Sequence, residues 1–221
     1  MTILEQLRKE LADYPNTQLV AVSKTKPVDK ILDLYHAGQK DFGENRVQEL
    51  CDKAQKLPSD IRWHLIGHLQ TNKVKTVLPF VYLIHSVDSL KLLIEIEKQA
   101  AKLDKTIDVL LQIHIASEDT KFGLDKKELI ELMEQYTHIS KPYPHIRIRG
   151  LMGMATNTTD LNQRKKEFTD LRQTFQFVKD SYMIHTSDFT ILSMGMSDDY
   201  PIALKCGSTM LRIGSMLFGS R

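Results

Sequence analysis

Cysteine is scarce in this chain. Cys51 and Cys206 are too few for a disulfide framework in 221 residues and lack metal-ligand spacing, so two reduced, buried thiols in a cytoplasmic protein are expected. No apolar run approaches a membrane span, and the opening stretch MTILEQLRKELADYP is an amphipathic helix pattern without a signal core. A membrane partner is therefore not expected. Excess charge is missing too: 30 Lys and Arg against 28 Asp and Glu leave a net +2, which gives nucleic acid no footing. Any anion site must be local. GxGxxG, Walker, GxSxG and HExxH signatures are all absent, which removes the commonest dinucleotide, nucleotide, hydrolase and zinc-protease readings. His64, His68, His85 and His114 lie in or near strand patterns and form no HExxH arrangement, so ordinary hydrogen-bonded histidines are expected rather than a metal centre.

What is present is a repeated strand-then-helix pattern. A 42% hydrophobic and 26% charged composition suits a soluble chain with a sizeable core, and no linker-like break divides it, so one domain over residues 1–221 is expected. Thr2 and Glu5 resemble a capping box that opens a first helix. Strand patterns then follow at Leu19–Lys24, Asp41–Asn45, Arg62–Gly67, Val81–Val87, Ile107–Ile115, IRIRGLMGM from Ile146, TILSMGM from Thr190 and MLRIGS from Met210. Each except the last is clearly followed by a helix pattern. Right-handed crossovers steer such a series toward an α/β fold, a single (β/α)8 TIM barrel with an extra N-terminal helix; an open eight-stranded sheet is the alternative.

The first strand runs into Lys24. Alternation puts Val20, Val22 and Lys24 on one face and Leu19, Ala21 and Ser23 on the other, so the ammonium emerges at the carboxyl edge, where barrels hold their chemistry. A partly desolvated lysine there is an amine nucleophile toward a carbonyl. Position alone favours a solvated lysine opening a loop, and the nucleophile reading needs support from elsewhere.

That support is sought in the late glycine-rich turns. Turns after strands seven and eight of a barrel commonly hold a phosphate. Ser197 lies just beyond strand seven, and Gly207, Ser208 and Thr209 form a small-residue turn just before strand eight; an ordinary Gly-Ser turn explains the latter equally well. Arg212, set between Leu211 and Ile213, needs an acceptor. A structural carboxylate is the default, and a ring nitrogen or phosphate in the mouth is the other choice. Asp198-Asp199 reads as a helix N-cap pair, and Met152, Met154, Met194 and Met196 as adaptable packing.

Taken together, AVSKTKP, DFGENRVQEL, WHLIGHLQTNK, HSVDS, KFGL from Lys121, GLMGMAT, and SMGMSDDYPIALKCGSTMLRIGSMLFG resemble the pyridoxal phosphate homeostasis proteins, the proline synthetase co-transcribed family, over nearly the whole chain. The resemblance implies the barrel of alanine racemase, the fold type III group of pyridoxal phosphate proteins. It implies that Lys24 forms an aldimine with pyridoxal 5′-phosphate, that Ser197, Gly207, Ser208 and Thr209 bind the phosphate, and that Arg212 faces the pyridine nitrogen. Asn45 matches a position close to the cofactor. Arg46 departs from the tyrosine that many relatives carry after GEN.

The implied function is intracellular homeostasis of vitamin B6, with the cofactor buffered or delivered to pyridoxal phosphate-requiring apoenzymes by a monomer or weak dimer that has no turnover of its own. Arginine at the ring nitrogen makes a weak electron sink, which fits storage better than carbanion chemistry. An amino-acid racemase is the alternative. It needs a second acid or base, which racemases bring from an added domain, and no such domain is expected in a sequence ending at Arg221. A lyase or aldolase using Lys24 and a phosphate site without any cofactor is a third reading.

Overall fold

Eight parallel strands close into a barrel in chain order, with β8 hydrogen-bonded back to β1. The open-sheet alternative is thereby excluded. The computed structural model describes residues 1–118, 122–138 and 143–219; Lys121 of the KFGL segment and the terminal Ser220-Arg221 lie outside them. The strands are β1 Gln18–Val22, β2 Asp41–Glu44, β3 Arg62–Leu65, β4 Val81–Val87, β5 Ile107–Gln112, β6 Ile146–Met152, β7 Ile191–Ser193 and β8 Met210–Ile213.

Helix α1, Ile3–Leu11, precedes them and is opened by a reciprocal Thr2–Glu5 capping box. The crossover helices are α2 Val28–His36, α3 Val47–Ala54, α4 Val74–Val77, α5 Leu90–Leu103, α6 Lys126–Thr137, α7 Leu161–Tyr182 and α8 Tyr200–Lys205. A one-turn helix, α9 Ser215–Phe218, follows β8, where the sequence pattern had left the last unit without a clear helix.

Alternation sorts the strand residues into two cores. Leu19, Ala21, Phe42 and Trp63 pack outward under the helices, while Val20, Leu83, Leu110, Met152 and Met210 fill the barrel interior. Val20 of β1 is the register partner of Arg212 in β8, so that arginine also faces inward. Several strands stop short of the apolar pattern. In β1 the ladder ends at Val22, because Ser23 to Lys26 is a turn closed by the Lys26 N–H donating to the Ser23 carbonyl at 3.0 Å. Hydropathy marks where residues are buried, and burial continues into the loops that fold over the mouth.

Candidate functional site

The carboxyl ends of the strands surround a cavity of about 470 Å³, lined among others by Lys24, Asn45, Ser197, Arg212, Gly214 and Ser215. A larger hollow of about 680 Å³ at the opposite mouth, lined by Thr17, Arg149, Arg172 and Thr209, gathers none of those six.

Lys24 sits two residues beyond β1 on a turn that α3 holds in place. Lys53 Nζ donates to the Ser23 carbonyl at 2.8 Å, and the Thr25 N–H donates to Glu49 Oε1 at 2.6 Å. Thr25 has φ +64°, a left-handed conformation that a β-branched residue adopts only when its surroundings enforce it. The turn is thus fixed from outside the barrel, while Lys24 itself contributes to the cavity wall.

Asn45, just past β2, places a buried Oδ1 without a hydrogen-bond partner among the described residues. Its backbone is approached so closely by Gly67 that a Cβ at that glycine would lie 2.2 Å from the Asn45 carbonyl oxygen. Met154, Met196, His68 and Phe122 complete an apolar and aromatic wall, with the last two rings stacked at 4.1 Å. A flat heteroaromatic group fits such a surface.

Arg212 is 3% exposed, and among the described residues it forms no ion pair. The structural carboxylate expected by default is not there. Its Nη1 donates to Ser193 Oγ at 2.6 Å and its Nη2 to the Gly153 carbonyl at 3.0 Å. Burial lowers its pKa to about 10, with Asp199 partly offsetting, so it remains a cation at neutral pH.

Beyond β7, Ser197 Oγ accepts from the N–H groups of Gly214 at 3.3 Å and Met216 at 3.4 Å. Two strand-end turns, after β7 and after β8, are thereby joined into one small-residue rim with backbone donors on it. Asp199 occupies the N-cap position of α8, yet its carboxylate turns back to accept from the Met196 N–H at 2.6 Å.

Gly207, Ser208 and Thr209, expected from the sequence at the phosphate, are not part of this rim. They precede β8, and a turn before a strand opens on the amino-end mouth. Ser208 Oγ is buried and donates to the Met194 carbonyl at 2.7 Å; Thr209 Oγ1 accepts from the Leu192 N–H at 2.7 Å and lines the opposite hollow. The four residues of β8, about 13 Å, separate them from Gly214 and Ser215. Strand direction alone would have selected Gly214 and Ser215, since both follow the eighth strand.

No helix among the described residues is long and apolar enough to cross a membrane, and none of these residues form a group of three or more His, Cys, Asp or Glu placed to hold a metal.

Residues 4–221 match the family model described as alanine racemase, N-terminal domain. A pyridoxal phosphate homeostasis protein of Pasteurella multocida is 39% identical over 207 residues, 92% of this chain and 86% of that relative. The chain belongs to the pyridoxal phosphate homeostasis protein family. The structure of PipY of Synechococcus elongatus with pyridoxal phosphate bound superposes with a TM-score of 0.88 at 35% identity, covering 98% of both chains. Alanine racemase of Bartonella henselae shares the fold alone, with a TM-score of 0.70 at 18% identity over 99% of this chain and 58% of the racemase.

Proposed function

We propose that this chain binds pyridoxal 5′-phosphate at the carboxyl mouth of its barrel and buffers or delivers it, as part of vitamin B6 homeostasis, without turnover of its own. The observation that carries this reading is convergence: the Lys24 turn, the Ser197–Gly214 rim and the buried Arg212 edge one cavity of about 470 Å³. The cofactor, when bound, supplies an aldehyde, an aromatic ring and a phosphate with up to about two negative charges.

The residues suit each part. Lys24 is the amine for covalent attachment. Ser197, Gly214 and Ser215 offer hydroxyls and backbone donors to the phosphate, in place of Gly207, Ser208 and Thr209. Arg212 presents a permanent donor to the ring nitrogen, and Asn45 brings an unpartnered acceptor to the rim. A cation at the ring nitrogen keeps that atom unprotonated and the ring a weak electron sink.

A racemase would need an acid or base on each face of the substrate α-carbon. Among the described residues lining the cavity there is no tyrosine to serve as the second group. The test is incubation of loaded protein with L- and D-alanine: enantiomer ratios should stay fixed, and steady racemisation would replace this reading with the enzymatic one.

A further inference from the structure

A chain of side-chain hydrogen bonds runs through the barrel behind Arg212. From Ser193 Oγ it passes to His85 Nδ1 at 3.1 Å, from His85 Nε2 to His64 Nδ1 at 2.9 Å, and from His64 Nε2 to Asp41 Oδ1 at 3.0 Å. Ser193, His64 and His85 are fully buried, and Asp41 sits at the amino end of β2, at the far mouth of the barrel. The five residues come from β8, β7, β4, β3 and β2.

Both ends are fixed in polarity. Arginine can only donate, and the Asp41 carboxylate, also held by Arg62 Nε at 2.7 Å, can only accept. Burial raises the Asp41 pKa, but hydrogen bonds from His64 and Arg62 outweigh it and hold the group below the ordinary value, so it is ionised. With one proton on each imidazole, a single arrangement satisfies every link: His64 donates from Nε2 to Asp41, His85 from Nε2 to His64, and Ser193 from its hydroxyl to His85. The Ser193 hydrogen is then committed away from Arg212, and its lone pairs face the guanidinium.

We propose that Asp41, His64, His85 and Ser193 are positioning residues for Arg212, a one-way donor relay that fixes which guanidinium edge is offered to the cofactor's ring nitrogen. The inference rests on the role given to Arg212 above. Two imidazoles and a hydroxyl in an interior otherwise filled by Val20, Leu83, Leu110, Met152 and Met210 cost stability relative to aliphatic packing. A satisfied polar network of this kind specifies one geometry, and that is what the buried arginine gains.

Long-range proton–nitrogen spectra of the protein without pyridoxal phosphate read the relay directly. Both His64 and His85 should be Nε2–H tautomers at neutral pH; an Nδ1–H on His85 reverses the chain and overturns the proposal. Titration with pyridoxal phosphate then reads the consequence. Ser193→Ala and the remote Asp41→Asn should each weaken binding roughly tenfold and shift the absorption band of the bound cofactor, and Ser193→Thr should restore both. Folded variants that match the parent within about twofold would overturn the positioning role. Should the variants not fold, the tautomers of the parent protein still decide. A parent protein that takes up no pyridoxal phosphate overturns the site reading, and the positioning role with it, even where the tautomers are as stated.

Discussion

Glu44 and Lys53 form an ion pair of 2.8 Å beneath the turn that carries Lys24, with side chains 0% and 8% exposed. Lys53 also bonds Glu49 at 2.7 Å, and Ser23 Oγ donates to the same Glu44 oxygen at 2.6 Å. Burial raises the Glu44 pKa, while the bonds from Lys53 and Ser23 pull it back. The cluster lies on the outer side of the barrel wall, so it acts on Lys24 through the backbone of residues 23–25.

Breaking that pair should cost more than removing it. Lys53→Met leaves a buried carboxylate unpaired and should destabilise the fold by about 3–5 kcal/mol, whereas the double variant Glu44→Leu with Lys53→Met should recover much of the loss. Urea denaturation measures both. A double variant no more stable than Lys53→Met would show that the pair has no such coupling.

Ser197 and Thr209 separate the two mouths. Ser197→Ala should weaken pyridoxal phosphate binding roughly tenfold, through loss of a hydroxyl at the rim. Thr209→Ala should leave affinity within about twofold while lowering stability by about 1 kcal/mol, because its hydroxyl serves the backbone of residues 190 and 192. Absorbance titrations of the two variants check the assignment.

Acid should destabilise the fold through His85. Burial, then the neighbouring His64 and Arg212, push its pKa well below 6.5, so the unfolded chain binds a proton that the folded chain refuses. This contribution is fully present above pH 6.5 and is lost as pH falls toward the folded value, with a slope approaching about 1.4 kcal/mol per pH unit. His85→Phe should flatten that limb in denaturation curves taken between about pH 7.5 and 5.5, a range set by about one unit either side of the ordinary histidine value.

Much of this was legible in the chain. Alternation through Leu19, Val20 and Ala21 gave the barrel wall its two faces, and Lys24 falls on the inner one because it keeps the parity of Val20 and Val22. Ser197 falls on the cavity as expected, whereas Thr209 lines the opposite hollow, because a Gly-Ser-Thr turn has the same composition on either side of a strand and only the strand's direction tells Thr209 from Ser215. The relay was not legible at all. His85 and Ser193 lie 108 residues apart and meet only because the barrel closes. Nothing local distinguishes either from an ordinary core polar residue, and the surroundings of Arg212 were hidden for the same reason.

Lys24→Ala should abolish covalent attachment while leaving weaker, phosphate-anchored binding, since the Ser197–Gly214 rim does not depend on the amine. Equilibrium dialysis with the folded variant measures the remainder. Complete loss of binding would mean that the rim holds no phosphate.

The most direct test is borohydride reduction of freshly purified protein loaded with pyridoxal phosphate, followed by peptide mapping. The pyridoxyl group should be found on Lys24. Its recovery on Lys26, Lys53 or another lysine, or the absence of any reducible adduct, would contradict the account.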